Sequence, residues 1–270
     1  MKGHEMTANT PKNAVILAAG SGSRLRPLTD LRPKPLVEVN GTPILHNALR
    51  HLDAVGVEDV TIVVGYRKDA IQYACGARFG RLDIDYVESS VFDRTGSAYS
   101  LWLARDALLR GDSYLLEGDV FFEENALHYL NRHAPCDVAA VAPFESTMQG
   151  SAVLLTESGY ISHFRMKQSG ADSSDSYPML FKTLNLLRLS ASTLRMTIVP
   201  ALNDLVGSGA TQAYTEELLA YLVERRGLQL AATRCDDLRW CEIDNAEDLR
   251  TANRLFADRS RTERQGASVT

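Results

Sequence analysis

Short apolar runs alternate with segments of helical periodicity along the first half of the chain. Apolar runs of four or five residues are typical of buried strands, whereas apolar residues three and four apart indicate one face of a helix. Because strands that alternate with helices build parallel sheets, we expect a sheet covered by helices on both faces. The predicted strands cover 14–18, 60–64, 84–87, 114–117 and 137–142. The predicted helices cover 43–55, about 67–78, about 97–109 and about 123–132, the first with Thr42 as its N-cap and Pro43 at its first position.

The second half of the chain has a different pattern. Two apolar runs, 152–155 and 161–164, flank Glu157-Ser158-Gly159 and predict a hairpin. We expect one domain over 13–258, whose second half, 146–240, returns its last strand to the first half, 13–145. The segment 168–177 predicts a mobile loop, and 259–270 predicts a disordered tail. Further strands are predicted at 179–187, 228–233 and 240–243, and helices at 191–206, 215–226 and 246–256.

The composition narrows the class of protein. The chain has 270 residues, 45% hydrophobic and 23% charged, which is typical of a globular protein. A net charge of −5 argues against a nucleic-acid partner. The four cysteines stand singly, which argues against a zinc site and a disulfide framework. The chain has neither a long apolar run nor an apolar signal sequence near its start, so we expect a cytoplasmic protein without a membrane partner.

A glycine-rich loop follows the first predicted strand. Small residues from Ala18 to Gly22 let the backbone approach a ligand closely, and successive N–H groups in such a turn bind anions. Arg24 and Lys34 add positive charge suited to a triphosphate. The Rossmann fingerprint needs a glycine where this chain has Leu25, and the P-loop run Gly-Lys-Ser/Thr does not occur.

The run L-A-A-G-S-G-S-R-L at 17–25, followed by K-P-L at 34–36, resembles the signature of nucleotidyltransferases that activate sugar phosphates, phosphocholine and phosphonates. The resemblance covers about 13–257, and we expect 13–145 to form the nucleotide-binding half and 146–240 the acceptor half. It implies a Rossmann-like α/β/α sandwich with a mostly parallel central sheet and a small acceptor-binding lid, the GT-A-like nucleotidyltransferase fold. It also implies that an acceptor phosphate or phosphonate oxygen attacks the α-phosphorus of a nucleoside triphosphate and that pyrophosphate leaves.

The same resemblance assigns roles to individual residues. Arg24 and Lys34 would hold the phosphates, and Lys34 would stabilise charge on the α-phosphate during transfer. The nucleotide contacts that the resemblance implies are Leu17, Ala18, Ala19, Gly20, Ser21, Gly22, Gly65, Tyr66, Thr95, Gly96 and Ser97.

Three carboxylates are candidate ligands for Mg²⁺. Asp119 ends a hydrophobic strand, and Glu242 and Asp244 stand two residues apart, on one face of a strand. Carboxylate oxygens suit Mg²⁺. From the residues alone, Asp119 and Asp244 are equally well explained as caps of the elements that follow them. The family resemblance matches these positions to metal-binding acids. No covalent nucleophile or general base is needed, because the acceptor's own oxyanion is nucleophilic.

The choice of substrates depends on further resemblances. The helix that contains Tyr99 and the W-x-E-I-D run that ends at Asp244 are similar to those of phosphocholine and phosphonate cytidylyltransferases, which implies CTP. The residues Gly96-Ser97-Ala98 depart from the asparagine pair and isoleucine common there, which weakens the case for a choline-type acceptor. We expect Lys182, Arg94, Arg165 and Tyr99 to bind the acceptor. Together with Lys167 and Arg188, the three basic residues of this set favour a small anionic phosphonate such as phosphonoformate. The same cations also fit a solvated strand face.

Three alternatives stay open at this point. Phosphocholine and sugar-1-phosphate nucleotidyltransferases share the same loop and carboxylates. A non-catalytic nucleotide-sensing subunit would have lost Arg24, Lys34, Asp119 or Asp244, and this chain retains all four. A homodimer is compatible with the sequence.

Overall fold

The structure, a computed structural model, describes residues 10–132, 137–169 and 179–257. Most of the loop predicted at 168–177 and all of the tail predicted at 259–270 lie outside these residues. The strands are β1 Asn13–Ala18, β2 Glu38–Val39, β3 Thr42–Pro43, β4 Asp59–Val64, β5 Arg78–Phe79, β6 Leu82–Glu88, β7 Ser113–Glu117, β8 Val120–Phe122, β9 Val138–Pro143, β10 Gln149–Leu155, β11 Ile161–Ser169, β12 Phe181–Leu189, β13 Ala231–Arg234 and β14 Trp240–Glu242. The helices are α1 Leu28–Leu31, α2 Ile44–Val55, α3 Lys68–Cys75, α4 Ser97–Leu103, α5 Arg105–Leu108, α6 Asn125–Asn131, α7 Ala191–Thr193, α8 Val199–Gly207, α9 Thr215–Arg226 and α10 Ala246–Leu255.

One large sheet organises the described part of the chain. Its strand order is β11-β10-β12-β7-β1-β4-β6-β5, and β9 joins β12 to β13. The central strands β7, β1, β4 and β6 run parallel, whereas β12 runs antiparallel to β7. The predicted α/β fold with a mostly parallel central sheet is therefore confirmed.

Alternate residues of β1 enter two separate cores. Ala14 and Ile16 pack with the apolar face of α2, whereas Val15 and Leu17 pack with α4 and α9 on the other side of the sheet. This alternation is the period-two pattern of a strand that is buried on both faces. The sheet is consequently the middle layer of an α/β/α sandwich, as predicted.

Several element boundaries differ from the prediction. Thr42 and Pro43 do not open α2, because they pair with Glu38 and Val39 in a short hairpin whose turn is Asn40-Gly41. Both turn residues have positive φ, which is typical of an Asn-Gly hairpin turn. The helix predicted at 97–109 is divided at Ala104, and a π-helical turn, Leu194–Ile198, interrupts the one predicted at 191–206.

The last strand of the chain returns to the first half of the chain. β14 pairs antiparallel with β8, and Ile243 N donates to Asp119 O at 2.9 Å. This pairing brings Glu242 and Asp244 beside the end of β7, as the sequence predicts. Within the described ranges, no helix has the length and apolarity needed to cross a membrane.

Candidate active site

A cavity of about 570 Å³ opens at the carboxyl ends of β1 and β7. Parallel sheets bind ligands at this edge, because the loops that leave the strands meet there. The cavity walls come from both halves of the chain. The lining includes Leu17 to Arg24, Lys34, Phe92, Thr95 to Ser97, Glu117, Asp119, Gly150, Ser151, Lys167, Lys182, Tyr214, Glu216, Glu242 and Asp244.

The glycine-rich loop packs directly against Lys34. Gly22 has a φ of 61°, and a Cβ atom at this position would lie 2.7 Å from Lys34 Cβ. Glycine is therefore favoured at position 22 both by the left-handed backbone and by the close contact. Thr29 Oγ1 donates to Gly22 O at 2.9 Å and fixes the turn. The predicted contacts from Leu17 to Gly22 all line the cavity.

Gly65 and Tyr66 pack against this loop. Tyr66 N donates to Ala19 O at 2.9 Å, and its hydroxyl donates to Thr29 O at 2.9 Å. A Cβ at Gly65 would lie 2.7 Å from Ala19 O, so a larger residue would displace the loop. Neither residue is among those that line the cavity, and their predicted role next to the base or ribose stays a prediction.

Lys34 lies between two carboxylates. Its Nζ is 2.8 Å from Asp119 Oδ2 and 2.7 Å from Asp244 Oδ1, and Arg24 lies 2.8 Å from the same Asp244 oxygen. Burial alone would lower the pKa of Lys34, but the charges of Asp119 and Asp244 outweigh it and raise that pKa. Burial opposes ionisation of Asp244, whose pKa is nevertheless lowered by Lys34 and Arg24. The lysine is therefore a fixed cation at neutral pH.

The carboxylates on either side of Lys34 fit a divalent cation. Asp119 Oδ1 is buried and has no hydrogen-bond partner in the described part of the chain. Burying such an atom is unfavourable unless a ligand supplies the missing hydrogen-bond or coordination partner. Among the described residues, however, no group of three or more acidic, His or Cys side chains could hold a metal by itself. A Mg²⁺ ion on Asp119 and Asp244 would thus need substrate oxygens and water to complete its coordination.

Glu242 has different partners from those expected of a metal ligand. Its Oε2 is 2.7 Å from Lys182 Nζ, and its Oε1 accepts from Asn185 Nδ2 at 3.2 Å. Burial raises the pKa of Glu242, and the charge of Lys182 opposes that rise. Glu242 therefore pairs with Lys182, and the nearby charges of Asp119 and Asp244 raise its pKa further. Its role as a metal ligand stays a prediction.

Two further carboxylates in the cavity were not singled out from the sequence. Glu117 lies two residues before Asp119, and Glu216 lies in the first turn of α9, where Ser151 Oγ donates to its Oε1 at 3.4 Å. Burial raises the pKa of both, and the charge of Glu216 raises that of Glu117 further. Neither forms an ion pair with the described residues. The E-G-D spacing places Glu117 and Asp119 near each other, but no sequence signal connects either one to Glu216.

The turn from Thr95 to Ser97, which is predicted to contact the nucleotide, lines the cavity and is held by the segment before α9. Gly96 N donates to Thr211 O at 2.9 Å, and Thr215 N donates to Ser97 Oγ at 2.9 Å. A Cβ at Gly96 would lie 2.1 Å from Ala213 O. This close contact joins the predicted nucleotide side of the cavity to the helix that carries Glu216.

Three of the four predicted acceptor-binding residues lie elsewhere. The side chain of Arg94 is 71% exposed next to Asp93, Arg165 is exposed on β11, and the ring of Tyr99 packs at a tilt against that of Trp102. Of the predicted four, only Lys182 lines the cavity, where Lys167 accompanies it. Arg188 is buried within β12, away from the cavity lining. The pattern of basic residues along the strands could not reveal which side chains point into the cavity.

Comparison with known proteins places this geometry in a family. The family model described as "Nucleotidyl transferase" matches residues 13–148. CMP-5'-(3-aminopropyl)phosphonate synthase of Streptomyces rubellomurinus is 34% identical over 92% of this chain and 39% of its own length. 2-Aminoethylphosphonate cytidylyltransferase of Lancefieldella rimae is 36% identical over 42% of this chain and 44% of its own length. This chain thus spans about two fifths of the length of these curated relatives.

The fold agrees with the same comparison. The solved structure of CTP:phosphocholine cytidylyltransferase from Streptococcus pneumoniae superimposes with a TM-score of 0.76 at 21% identity, over 92% of this chain and 99% of that one. The chain belongs to the nucleotidyl transferase family.

Proposed function

We propose that the chain is a CTP-dependent cytidylyltransferase that transfers CMP to a small phosphonate and releases pyrophosphate. The observation that carries this proposal is Lys34, held beneath the glycine-rich loop between Asp119 and Asp244. A loop of backbone N–H groups with a fixed cation suits a triphosphate, and paired carboxylates suit its counter-ion. The choice of CTP and of a phosphonate is supported by the activities for which the two relatives above are named.

The reaction needs positioning and electrostatic stabilisation more than a reactive side chain. A phosphonate oxygen forms a bond to the α-phosphorus, and the bond from that phosphorus to the bridging oxygen of the β-phosphate breaks. The electron pair of that bond leaves with pyrophosphate. Lys34 would bind the α-phosphate and stabilise its increasing negative charge, and Arg24 would bind the leaving phosphates. Mg²⁺ held by Asp119 and Asp244 would act as a Lewis acid towards the phosphate oxygens.

The acceptor side of the cavity supports an amine-bearing phosphonate better than the anionic one expected from the sequence. That expectation rested on five basic residues, of which only Lys167 and Lys182 line the cavity. Glu117 and Glu216 line it as well, and they form no ion pair with the described residues. Lys34 and Lys182 offset part of the charge of these two carboxylates without forming an ion pair with them. Their oxygens can therefore accept hydrogen bonds from an ammonium group, whereas they would repel a second carboxylate. Lys182 would bind the phosphonate itself.

A primary amine fits the described lining better than a quaternary one. Quaternary ammonium groups are usually bound by several aromatic faces. Within the described ranges, the aromatic residues that line the cavity are Phe92 and Tyr214. We therefore rank 2-aminoethylphosphonate and 3-aminopropylphosphonate above phosphocholine. A sugar-1-phosphate, the remaining alternative, carries no cation for Glu117 and Glu216.

Steady-state kinetics of pyrophosphate release would test the proposal. CTP, UTP, TTP, GTP and ATP are each combined with 2-aminoethylphosphonate, phosphonoformate, phosphocholine and glucose-1-phosphate in Mg²⁺. We expect the highest kcat/KM for CTP with the aminophosphonate. Ethylphosphonate, which lacks the amine, is the matched control acceptor. Glu216→Gln should lower the ratio of kcat/KM for 2-aminoethylphosphonate to kcat/KM for ethylphosphonate. Equal turnover of the two acceptors by the unchanged enzyme would refute the assigned amine site.

A further inference from the structure

Asn185 has a backbone conformation that its position in the sheet does not require. Asn185 lies in the middle of β12, a strand buried along its whole length, yet its φ is 55°. The register of β12 against β9 shifts between Thr183 and Leu187, on either side of this residue. Asparagine adopts the left-handed region more readily than most residues, but inside a strand this conformation interrupts the regular pairing and persists only where its surroundings hold it.

The side chain of Asn185 connects this irregularity to the cavity. Its Nδ2 donates to Glu242 Oε1 at 3.2 Å, and its Oδ1 accepts from Thr183 Oγ1 at 3.1 Å. The other oxygen of Glu242 lies 2.7 Å from Lys182 Nζ. A chain of polar contacts therefore runs from the bulge in β12 through Glu242 to the ammonium of Lys182.

Lys182 is confined on its other side as well. The residue is 3% exposed, and a Cβ atom at Gly150 would lie 2.7 Å from Lys182 Nζ. Gly150 has a φ of 111°, a conformation that glycine adopts most readily. A lysine side chain has many rotamers, so holding its ammonium at one point requires contacts that exclude the others. Glu242 and the space left by Gly150 supply those contacts.

We infer that Asn185 is a positioning residue that, through Glu242, fixes the Lys182 ammonium where it receives the acceptor's phosphonate. This inference rests on the proposed function and assigns a task to the irregularity in β12. The left-handed backbone turns the amide of Asn185 towards Glu242, and Thr183 orients that amide so that its NH₂ group faces the carboxylate. Glu242 then presents its second oxygen to Lys182.

Asn185→Gly separates this role from a purely structural one. Glycine adopts the left-handed conformation without strain, so the bulge is retained, whereas the contact with Glu242 is lost. We expect the KM for the acceptor to rise about tenfold or more while the KM for CTP stays within about twofold, because misplacing a binding group weakens the step it serves. Thr183→Val, which frees the amide to rotate, should act in the same direction with a smaller effect. Unchanged acceptor kinetics in Asn185→Gly, or an equal rise in both KM values, would overturn the inference.

A second readout does not depend on the acceptor. In protein labelled with ¹⁵N-lysine, the fixed and buried ammonium of Lys182 should give a resolved Nζ signal, identified by its loss in Lys182→Met. That signal should broaden or shift in Asn185→Gly while the backbone amide spectrum stays native-like away from β12. If the wild type transfers CMP to no phosphonate, the proposed function fails, and the Nζ signal still decides the inference. An unchanged signal in Asn185→Gly would refute it.

Discussion

Lys34 is the side chain on which the proposed chemistry most depends. Its Nζ contacts Asp119 and Asp244 and lies beneath the glycine-rich loop. Lys34→Met keeps most of the apolar stem and removes only the charge. We expect kcat to fall by about 100-fold or more, because removing one preorganised electrostatic contact costs about that much. Lys12→Met, which removes a surface lysine paired with Glu58, is the matched control. Pyrophosphate release measures both, and activity of Lys34→Met near that of the control would exclude Lys34 from the mechanism.

Replacement of Asp119 tests the proposed metal site. Asp119→Asn is isosteric but removes the charge of this carboxylate, whose buried Oδ1 has no hydrogen-bond partner among the described residues. The Mg²⁺ concentration for half-maximal activity should rise about tenfold or more, and kcat should fall. A titration with MgCl₂ at saturating substrates gives both values. Asp85→Asn, on the surface next to Arg110, serves as the control. An unchanged Mg²⁺ requirement in Asp119→Asn would remove this carboxylate from the site.

At the scale of elements, the contact between Gly96 and the segment before α9 joins the two sides of the cavity. A Cβ at Gly96 would lie 2.1 Å from Ala213 O and 2.4 Å from Gln212 O. Gly96→Ala should therefore displace this segment and Glu216 with it, and destabilise the fold by about 1–3 kcal/mol. Gly207→Ala, where nothing lies within 4 Å of the added atom, should instead stabilise by about 0.4–1 kcal/mol. Chemical denaturation measures both, and equal stabilities would contradict the steric argument.

The elements also show how far the sequence alone could lead. Local patterns of apolar and small residues predict the order of strands and helices, the return of the last strand and the position of the glycine-rich loop. The partners of Glu242 and the meeting of Glu117 with Glu216 do not, because they depend on how β7, β12, β14 and α9 pack. The same is true of Arg94 and Arg165, whose spacing gave no indication that they lie outside the cavity.

At the scale of the whole molecule, the sheet is stabilised by separate cores on its two faces. Leu49 of α2 is fully buried in one of them, whereas Leu31 is 84% exposed. Leu49→Ala should lower the free energy of unfolding by about 2–5 kcal/mol, because it removes transfer energy and leaves a cavity. Leu31→Ala should change it by less than about 0.5 kcal/mol. Urea denaturation followed by circular dichroism compares them, and similar losses would be inconsistent with the assigned core.

The most direct test of the central claim is a ³¹P NMR spectrum of the wild-type enzyme with CTP, Mg²⁺ and 2-aminoethylphosphonate. We expect two coupled resonances from a new phosphonate–phosphate anhydride, together with an equal amount of pyrophosphate. A spectrum in which CTP stays intact with this acceptor, while UTP or TTP reacts with a sugar-1-phosphate, would refute the proposed function.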